Sequence, residues 1–151
     1  MLGAAFIIGM AQAISGIMNA GHITDTVVHS LAAGLNSVPS ILQGPAMLIA
    51  NTIINVFLTS GSGQAAAVIP IMAPLADLVG MTRQTAILAF NFGDGFCNYI
   101  LPTSTALMGI ISAVNIPYDR WMKFMWKLFL IWMVVGSVLL MIAQAMHWGP
   151  M

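Results

Sequence analysis

Long apolar runs separated by short polar segments make up most of the chain. Residues 2–20 form the first run, which is long enough to cross a bilayer once as a helix. Small residues recur along it at Gly3, Gly9, Ala13 and Gly16, and small residues let neighbouring helices approach closely. A signal-peptide core is the alternative, but no basic residue precedes the apolar run. We therefore predict a transmembrane helix over 2–20 that packs against protein.

The pattern changes over residues 22–35, where polar residues recur at three- and four-residue spacing between apolar ones. This spacing predicts an amphipathic helix lying at the membrane interface. His22, Asp25 and His29 share a face of that helix, and their side chains are of types that bind zinc. No fourth ligand lies nearby and the His-Glu-x-x-His spacing does not occur. A solvated polar face is therefore favoured over a metal site.

Residues 46–79 predict a re-entrant helical hairpin. Each of its apolar arms, 46–58 and 65–78, is short for a full membrane span. The tip between them, Thr59–Gln64, is polar and rich in glycine, so its amides and the helix-end dipoles could bind a carboxylate or a cation near the bilayer centre. Two ordinary spans joined by a turn outside the membrane are the alternative. Asn51 and Asn55 share one face of the first arm and are expected to hydrogen-bond to a neighbouring helix rather than to substrate.

Residues 83–114 predict a broken transmembrane helix. The polar segment 90–105 interrupts its apolar pattern with Asp94 between two glycines, and then with Pro102 and three hydroxyl residues. Because glycine permits unusual dihedral angles and proline lacks an amide donor, we expect the backbone to be unwound from Gly93 to Pro102 and helical again from Thr105. Interrupted hydrophobic segments of this kind mark the binding sites of transporters.

Residues 118–147 predict the final transmembrane helix. Its start carries Arg120, Lys123 and Lys127 among aromatic residues, which is typical of a helix anchored at the membrane interface. By the positive-inside rule this end is cytoplasmic and the C-terminus lies outside. The predicted hairpin then enters from the external face.

Composition supports an all-α integral membrane protein. The 151 residues are 60% hydrophobic and 5% charged, with a mean hydropathy of +0.96, whereas soluble domains are about 25% charged. The formal net charge is zero, which gives no electrostatic reason to expect nucleic acid as a partner. Cys97 is the single cysteine, so no disulfide framework within the chain is predicted.

Asp94 is the one acidic residue of the predicted site and the natural candidate for ion coupling. As a carboxylate it would bind a cation, and once desolvated it would bind a proton instead. A structural alternative is a buried carboxylate that pairs with Arg83 or with another helix and serves helix assembly. A second alternative pairs Asp94 with Asp25 as an intramembrane aspartyl protease, but Asn91 stands where those enzymes have glycine, and Asp25 lies on the interfacial stretch. We predict that the protein is not an enzyme; a non-transporting accessory subunit is the remaining alternative.

Several short motifs follow one another along the chain: Ser60–Gln64, Ile69–Leu75 (Ile-Pro-Ile-Met-Ala-Pro-Leu), Arg83–Ala86, Phe92–Gly95, Pro102–Ser104 and Pro117–Trp121. Together they resemble the C-terminal part of the YfcC family, which is related to the anaerobic C4-dicarboxylate carriers of the ion-transporter superfamily. The resemblance covers essentially the whole chain. It implies a secondary carrier built from two inverted repeats, each with a re-entrant hairpin and a broken helix, of which this chain is the second.

The resemblance also implies the site and its ligands. The binding residues would be Ser60, Gly61, Ser62, Gly63 and Gln64 at the tip, and Asn91, Gly93, Asp94, Gly95, Asn98, Thr103, Ser104 and Thr105 at the break, where the family often has glycine in place of Thr105. A coupling Na+ would lie near Asp94, Ser62 and Asn91; H+ is the alternative, and no organic cofactor is expected.

The same resemblance implies the partners and the location. The substrate would be a small anionic or zwitterionic molecule, a dicarboxylate or a basic amino acid. The other partners would be the lipid bilayer of a bacterial cytoplasmic membrane, a first repeat outside this chain, and a second copy in a homodimer. The chain is accordingly expected to be a fragment or one half of a longer carrier.

Overall fold

The computed structural model describes residues 17, 20–21, 29, 33–35, 37–57 and 61–149. Within these ranges the chain forms helices and no strand, so the predicted all-α class is confirmed there. Of the predicted helix 2–20 only residues 17 and 20 are described, and His22, Asp25 and the tip residues Thr59 and Ser60 lie outside the described residues. The helices are α1 (Ser40–Phe57), α2 (Gly61–Val79), α3 (Arg83–Cys97), α4 (Thr105–Ala113) and α5 (Tyr118–Ala145).

Local sequence signals determine where the inner helices begin and end. Gly80 ends α2 with φ +72°, and the Met81 amide donates to Ala76 O across it at 2.9 Å, which is the usual C-terminal glycine arrangement. Thr82 caps α3 by accepting a hydrogen bond from the Thr85 amide, and Ser104 caps α4 in the same way. Each cap satisfies one of the amide donors left free in the first turn.

The break between α3 and α4 lies later in the chain than the glycines suggest. The helix continues through Gly93, Asp94 and Gly95 and ends at Cys97, so the prediction that the backbone unwinds from Gly93 is wrong. The irregular segment is 98–104, which contains Pro102. A glycine inside a helix costs only about 1 kcal/mol relative to alanine, and this cost is small enough for packing to offset it.

Gly93 allows α1 and α3 to pack against each other at close range. A β-carbon at this position would lie 2.8 Å from Asn51 Cβ and 3.1 Å from the Thr52 amide nitrogen. One turn further along α3, the buried Cys97 thiol donates to Thr52 O at 3.7 Å. The close α1–α3 contact forms the centre of the described bundle, with α2 and α5 packed on α3 as well.

The long helix α5 packs against this centre through a glycine and an aromatic cluster. A β-carbon at Gly136 would lie 2.9 Å from the Phe96 ring. Because Gly136 has no side chain, α5 can approach α3 closely here. The ring centroids of Phe96 and Tyr99 lie 5.6 and 5.5 Å from that of Trp132. These contacts bring the middle of α5 to the level of the helix break.

Four helix ends lie together at one end of the bundle. Thr82 Oγ1 at the start of α3 donates to Trp148 O, just beyond α5, at 2.7 Å. Near the start of α1, a β-carbon at Gly44 would lie 3.1 Å from Leu140 Cβ of α5, and α2 ends shortly before Thr82. Helix α1 runs away from this end and stops at Phe57, and α2 starts at Gly61 and runs back toward this end.

Two helices, α2 and α5, are long and apolar enough to cross a membrane, judged by their length and composition. Helix α1 is apolar as well but shorter.

We predict that Gly93→Ala and Gly95→Ala have opposite effects on stability, although the two glycines lie two residues apart in one helix. The methyl group at position 93 meets the α1 backbone, and such overpacking costs about 1–3 kcal/mol. At Gly95 a β-carbon has no atom within 4 Å, and alanine gains up to about 1 kcal/mol of helix propensity. Thermal unfolding of both variants in detergent measures the difference; equal melting temperatures would contradict the close α1–α3 contact.

Candidate functional site

The carboxylate of Asp94 is held by two asparagine side chains near the end of α3. Asn55 Nδ2 of α1 donates to Asp94 Oδ1 at 2.6 Å. Asn98 Nδ2, at the C-cap of α3, donates to the same oxygen at 3.0 Å and to Asp94 O at 2.9 Å. Asp94 does not pair with Arg83, which binds Asp77 at 2.6 Å instead. The Arg83 form of the structural alternative is therefore wrong, whereas Asn55 of α1 provides the pairing with another helix that the same alternative included.

A chain of buried amides connects Asp94 to the other two helices of the site. Asn55 Nδ2 also donates to Gln64 Oε1 of α2 at 2.8 Å, and Gln64 Nε2 donates to Asn51 O of α1 at 3.2 Å. Asn51, Asn55 and Gln64 are all at most 1% exposed. This polar network links α1, α2 and α3 inside an apolar bundle.

The start of α2 lies directly against Asp94. A β-carbon at Gly61 would lie only 2.8 Å from Asp94 Oδ2. No side chain larger than that of glycine fits at this position unless the carboxylate moves. The structure thus brings one end of the predicted hairpin tip to the predicted acid of the helix break.

Two acceptor oxygens beside this network are buried without a hydrogen-bond donor from the described residues: Asn55 Oδ1 and Asn51 Oδ1. The orientation of the Asn55 amide follows from its partners, because Nδ2 faces two acceptors, Gln64 Oε1 and Asp94 Oδ1. Its own oxygen must then point elsewhere. A buried unpaired acceptor costs about 1–3 kcal/mol, so this location favours a ligand that accepts electron pairs from oxygen.

A cavity of about 660 Å³ opens beside the helix break. Its walls contain hydroxyl groups, the first turn of α4, two aromatic side chains and no ionisable acid or base apart from the tyrosine. The lining residues are Gly95, Asn98, Tyr99, Thr103, Ser104, Thr105, Ala106, Leu107, Ile110 and Trp121. Asn98 also donates a hydrogen bond to Asp94 Oδ1. Its side chain therefore connects the cavity to the carboxylate.

The start of α5 holds the backbone of the break in place. Trp121 Nε1 donates to Tyr99 O at 2.9 Å, and the Tyr118 hydroxyl donates to Ile100 O. Carbonyl groups outside a helix need such partners when they lie in an apolar environment. Side chains of α5 thus replace the missing helical hydrogen bonds of this segment.

The structure brings many of the predicted site residues together, but not all of them. Gly61, Gln64, Gly93, Asp94 and Asn98 belong to the network or its close contacts, whereas Gly95, Thr103, Ser104 and Thr105 line the cavity together with Asn98. Ser62 is exposed and Gly63 buried at the start of α2. Asn91 is exposed and donates within its own helix to Ile87 O. Ser60 lies outside the described residues.

Two network members, Asn51 and Asn55, were not among the predicted site residues. The prediction that they hydrogen-bond to a neighbouring helix is confirmed for Asn55 and wrong for the Asn51 side chain, which donates to Met47 O of its own helix. The signal that could have identified them is their spacing. Two asparagines four residues apart in an apolar arm put amides on one buried face.

Comparison with known proteins identifies the family. The model of the C4-dicarboxylate anaerobic carrier family, DcuC, matches residues 1–145. The chain belongs to this family of membrane carriers. The resemblance found in the sequence motifs is thereby confirmed.

Two relatives cover almost all of the chain. A protein of Escherichia coli K12 named "Putative basic amino acid antiporter YfcC" is 36% identical over 151 residues, which is 97% of this chain and 30% of that protein. An uncharacterised protein of Haemophilus influenzae Rd is 29% identical over 147 residues, which is 97% of this chain and 29% of that protein. The chain thus spans less than a third of the length of these relatives. No solved structure matches it significantly.

The family and the Escherichia coli relative are named as a carrier and an antiporter, which agrees with the prediction that the protein is not an enzyme. The residues that the structure describes contain no group of three His, Cys, Asp or Glu side chains able to hold a metal ion. Of the three residues considered as zinc ligands, the structure describes only His29, and its side chain is exposed.

We predict that Asn55→Leu destabilises the protein and that Asn91→Leu does not. Leucine at position 55 removes the donor that both Gln64 Oε1 and Asp94 Oδ1 share, and leaving buried acceptors unpaired costs about 2–3 kcal/mol. Asn91 is exposed and bonds only within its own helix turn, so its loss should change stability by less than about 0.5 kcal/mol. Thermal unfolding of both variants provides the measurement, and similar melting temperatures would show that the network does not hold the helices together.

Proposed function

We propose that the chain forms the ion- and substrate-binding repeat of a secondary transporter that moves a small amino acid or carboxylate, coupled to Na+ or H+ or by exchange. The main support for this proposal is the hydrogen-bond network of Asp94, Asn55 and Gln64, which lies next to a cavity lined by hydroxyl groups. Ionisable residues inside apolar helix bundles are costly, and in membrane proteins they mark ion and substrate pathways.

The depth of Asp94 supports this proposal. Phe96, two residues after it in α3, packs against Trp132, which is 14 residues after Tyr118 and 13 residues before Ala145 in α5. A helix of 28 residues is about 42 Å long, so α5 can span the bilayer with Asp94 near its middle. The end of α1 and the start of α2 both lie beside Asp94, through Asn55 and Gly61, as the two arms of a re-entrant hairpin would at its tip.

Asp94 supplies carboxylate oxygens suited to a small monovalent cation, and Asn55 Oδ1 becomes a further ligand once its amide turns from Asp94 to face the cation. Na+, like other hard cations, is bound by carboxylate and amide oxygens, and Asn55 Oδ1 is buried without a described donor. One carboxylate supplies a single negative charge, which matches a single positive one. Proton binding by Asp94 would provide the same coupling without a metal ion.

The charges around the cavity favour an amino acid over a dicarboxylate. Hydroxyl groups of Thr103 and Ser104 and the free amides at the start of α4 can bind one carboxylate group. The lining also includes the rings of Tyr99 and Trp121, with Asp94 beyond Asn98, all of which suit an ammonium or guanidinium group. No lysine, arginine or histidine among the described residues lines the cavity, so a second carboxylate would find no counter-charge in this part of the chain.

The rest of the carrier would come from outside this chain. The chain corresponds to about 30% of its relatives' length, so we propose that a first, inverted repeat completes the site and that two copies form a homodimer. Na+ or H+ and the substrate would then bind between the hairpin tip and the break of each repeat.

We predict that Asp94→Asn and Asp94→Ala abolish coupled uptake into proteoliposomes, whereas Asp77→Asn does not. A charged hydrogen-bonding group contributes about 2 kcal/mol, so uptake should fall by about 30-fold or more. Asp77 is the matched control, since it is an exposed carboxylate that pairs with Arg83, and uptake of its variant should stay within about twofold. Unchanged coupled uptake in both Asp94 variants would remove Asp94 from the mechanism.

We also predict that the chain binds labelled arginine more tightly than labelled succinate, and that Thr103→Val weakens the binding. Loss of one hydrogen bond of about 1 kcal/mol corresponds to about fivefold. Ser112→Ala removes an exposed hydroxyl of α4 that does not line the cavity and should leave the affinity unchanged. Preferential binding of succinate would reverse the assignment of the substrate class, and binding of neither would favour either the accessory role or a fragment that needs its first repeat.

A further inference from the structure

The cationic residues of the chain are concentrated at the start of α5. Arg120, Lys123 and Lys127 are three of the four lysine and arginine residues in the sequence. Spacings of three and four residues place them on one face of the helix, and all three are exposed. The first turns of α5 therefore present a continuous basic stripe.

No carboxylate within the described part of the chain neutralises this stripe. The ion pair found there joins Asp77 to Arg83 at the opposite end of the bundle. Asp119 neighbours Arg120 in sequence and is also exposed, but it forms no ion pair with a described residue. The basic stripe keeps a net positive charge.

The same face of α5 becomes apolar beyond Lys127. Leu130, Ile131, Val134 and Val138 continue the stripe at helical spacing and are 47%, 57%, 64% and 43% exposed. The opposite face carries Met125, Phe129, Gly136 and Leu140, which are buried against the bundle. The exposed face is thus cationic at one end and apolar along the rest of its length.

We propose that this face of α5 is a binding surface for an anionic phospholipid. The lipid phosphate would lie among Arg120, Lys123 and Lys127, and an acyl chain would run along Leu130, Ile131, Val134 and Val138. A free phosphate would use only the cationic end, whereas a lipid matches both parts of the face. Each lysine or arginine near an anionic membrane surface contributes about 1 kcal/mol.

Side-chain geometry fits the phosphate at this level. Side chains of a helix tilt toward its N-terminus, and lysine can extend its stem along apolar surface while its ammonium group stays at the interface. Lys127 can therefore reach back toward Lys123 and Arg120. Trp126, which is 51% exposed, lies beside the stripe and reports on lipid bound there.

The test measures lipid preference by tryptophan quenching. The purified chain is reconstituted in phosphatidylcholine that contains either brominated phosphatidylglycerol or brominated phosphatidylcholine, and the relative quenching gives a binding ratio. The wild type should prefer the anionic lipid by about 25-fold or more. Lys123→Gln should lower the ratio by about fivefold, the equivalent of about 1 kcal/mol, and Lys123→Gln with Lys127→Gln should lower it by about 25-fold and so remove most of the preference. Arg83→Gln is the matched control, because it removes one cation at the other end, and it should leave the ratio unchanged.

Two measurements on the wild type make the test independent of how the variants fold. Raising the salt concentration should weaken the preference, because exposed charges are screened, while adding inorganic phosphate at constant ionic strength should not compete. Equal quenching by both lipids, an unchanged ratio in the double variant, or full competition by inorganic phosphate would overturn the proposal. None of these results depends on whether the chain transports a substrate.

Discussion

The fold depends on keeping one carboxylate, Asp94, hydrogen-bonded inside an apolar bundle. A charge removed from water without partners costs several kcal/mol, and an apolar helix bundle has few polar groups to offer. Three helices therefore each contribute to the same site: α1 supplies the Asn55 amide, α2 approaches through Gly61 and positions Gln64, and α3 adds Asn98 at its own C-cap. The helices cannot separate without leaving these groups unpaired, so the polar network that we propose as the ion site also determines how the helices pack.

Much of this arrangement is predictable from sequence, because polar residues within apolar runs are conspicuous. Asp94, the hydroxyl residues after Pro102 and the glycine-rich segment that ends at Gln64 all stand out by composition alone. The predicted position of the helix break was wrong for a physical reason. Glycine both permits unwinding and allows close packing, and the sequence around Gly93 does not distinguish the two. In the structure α1 lies within 3 Å of the position that a Gly93 β-carbon would take. Only this contact shows that the role of Gly93 is close helix packing.

Asn55 illustrates what local sequence cannot supply. Its spacing from Asn51 indicates a buried polar face, but the partners, Gln64 and Asp94, lie 9 and 39 residues away. Helix α5 shows the complementary case, in which local pattern is sufficient. One stripe of that helix is buried around Gly136, and the other carries the basic residues and then the exposed apolar ones. Periodicity within one helix identifies its faces, whereas contacts between helices need the three-dimensional structure.

The two side chains that hold the backbone of the break have a mechanical consequence. Trp121 and Tyr118 are rooted in the first turn of α5 and bind consecutive carbonyl groups, those of Tyr99 and Ile100. The segment 98–104 is therefore not a free hinge, because turning α4 relative to α3 would pull on the start of α5. If the site alternates between the two sides of a membrane, α4 and the beginning of α5 must move together, while Trp132 of α5 stays packed against Phe96 of α3.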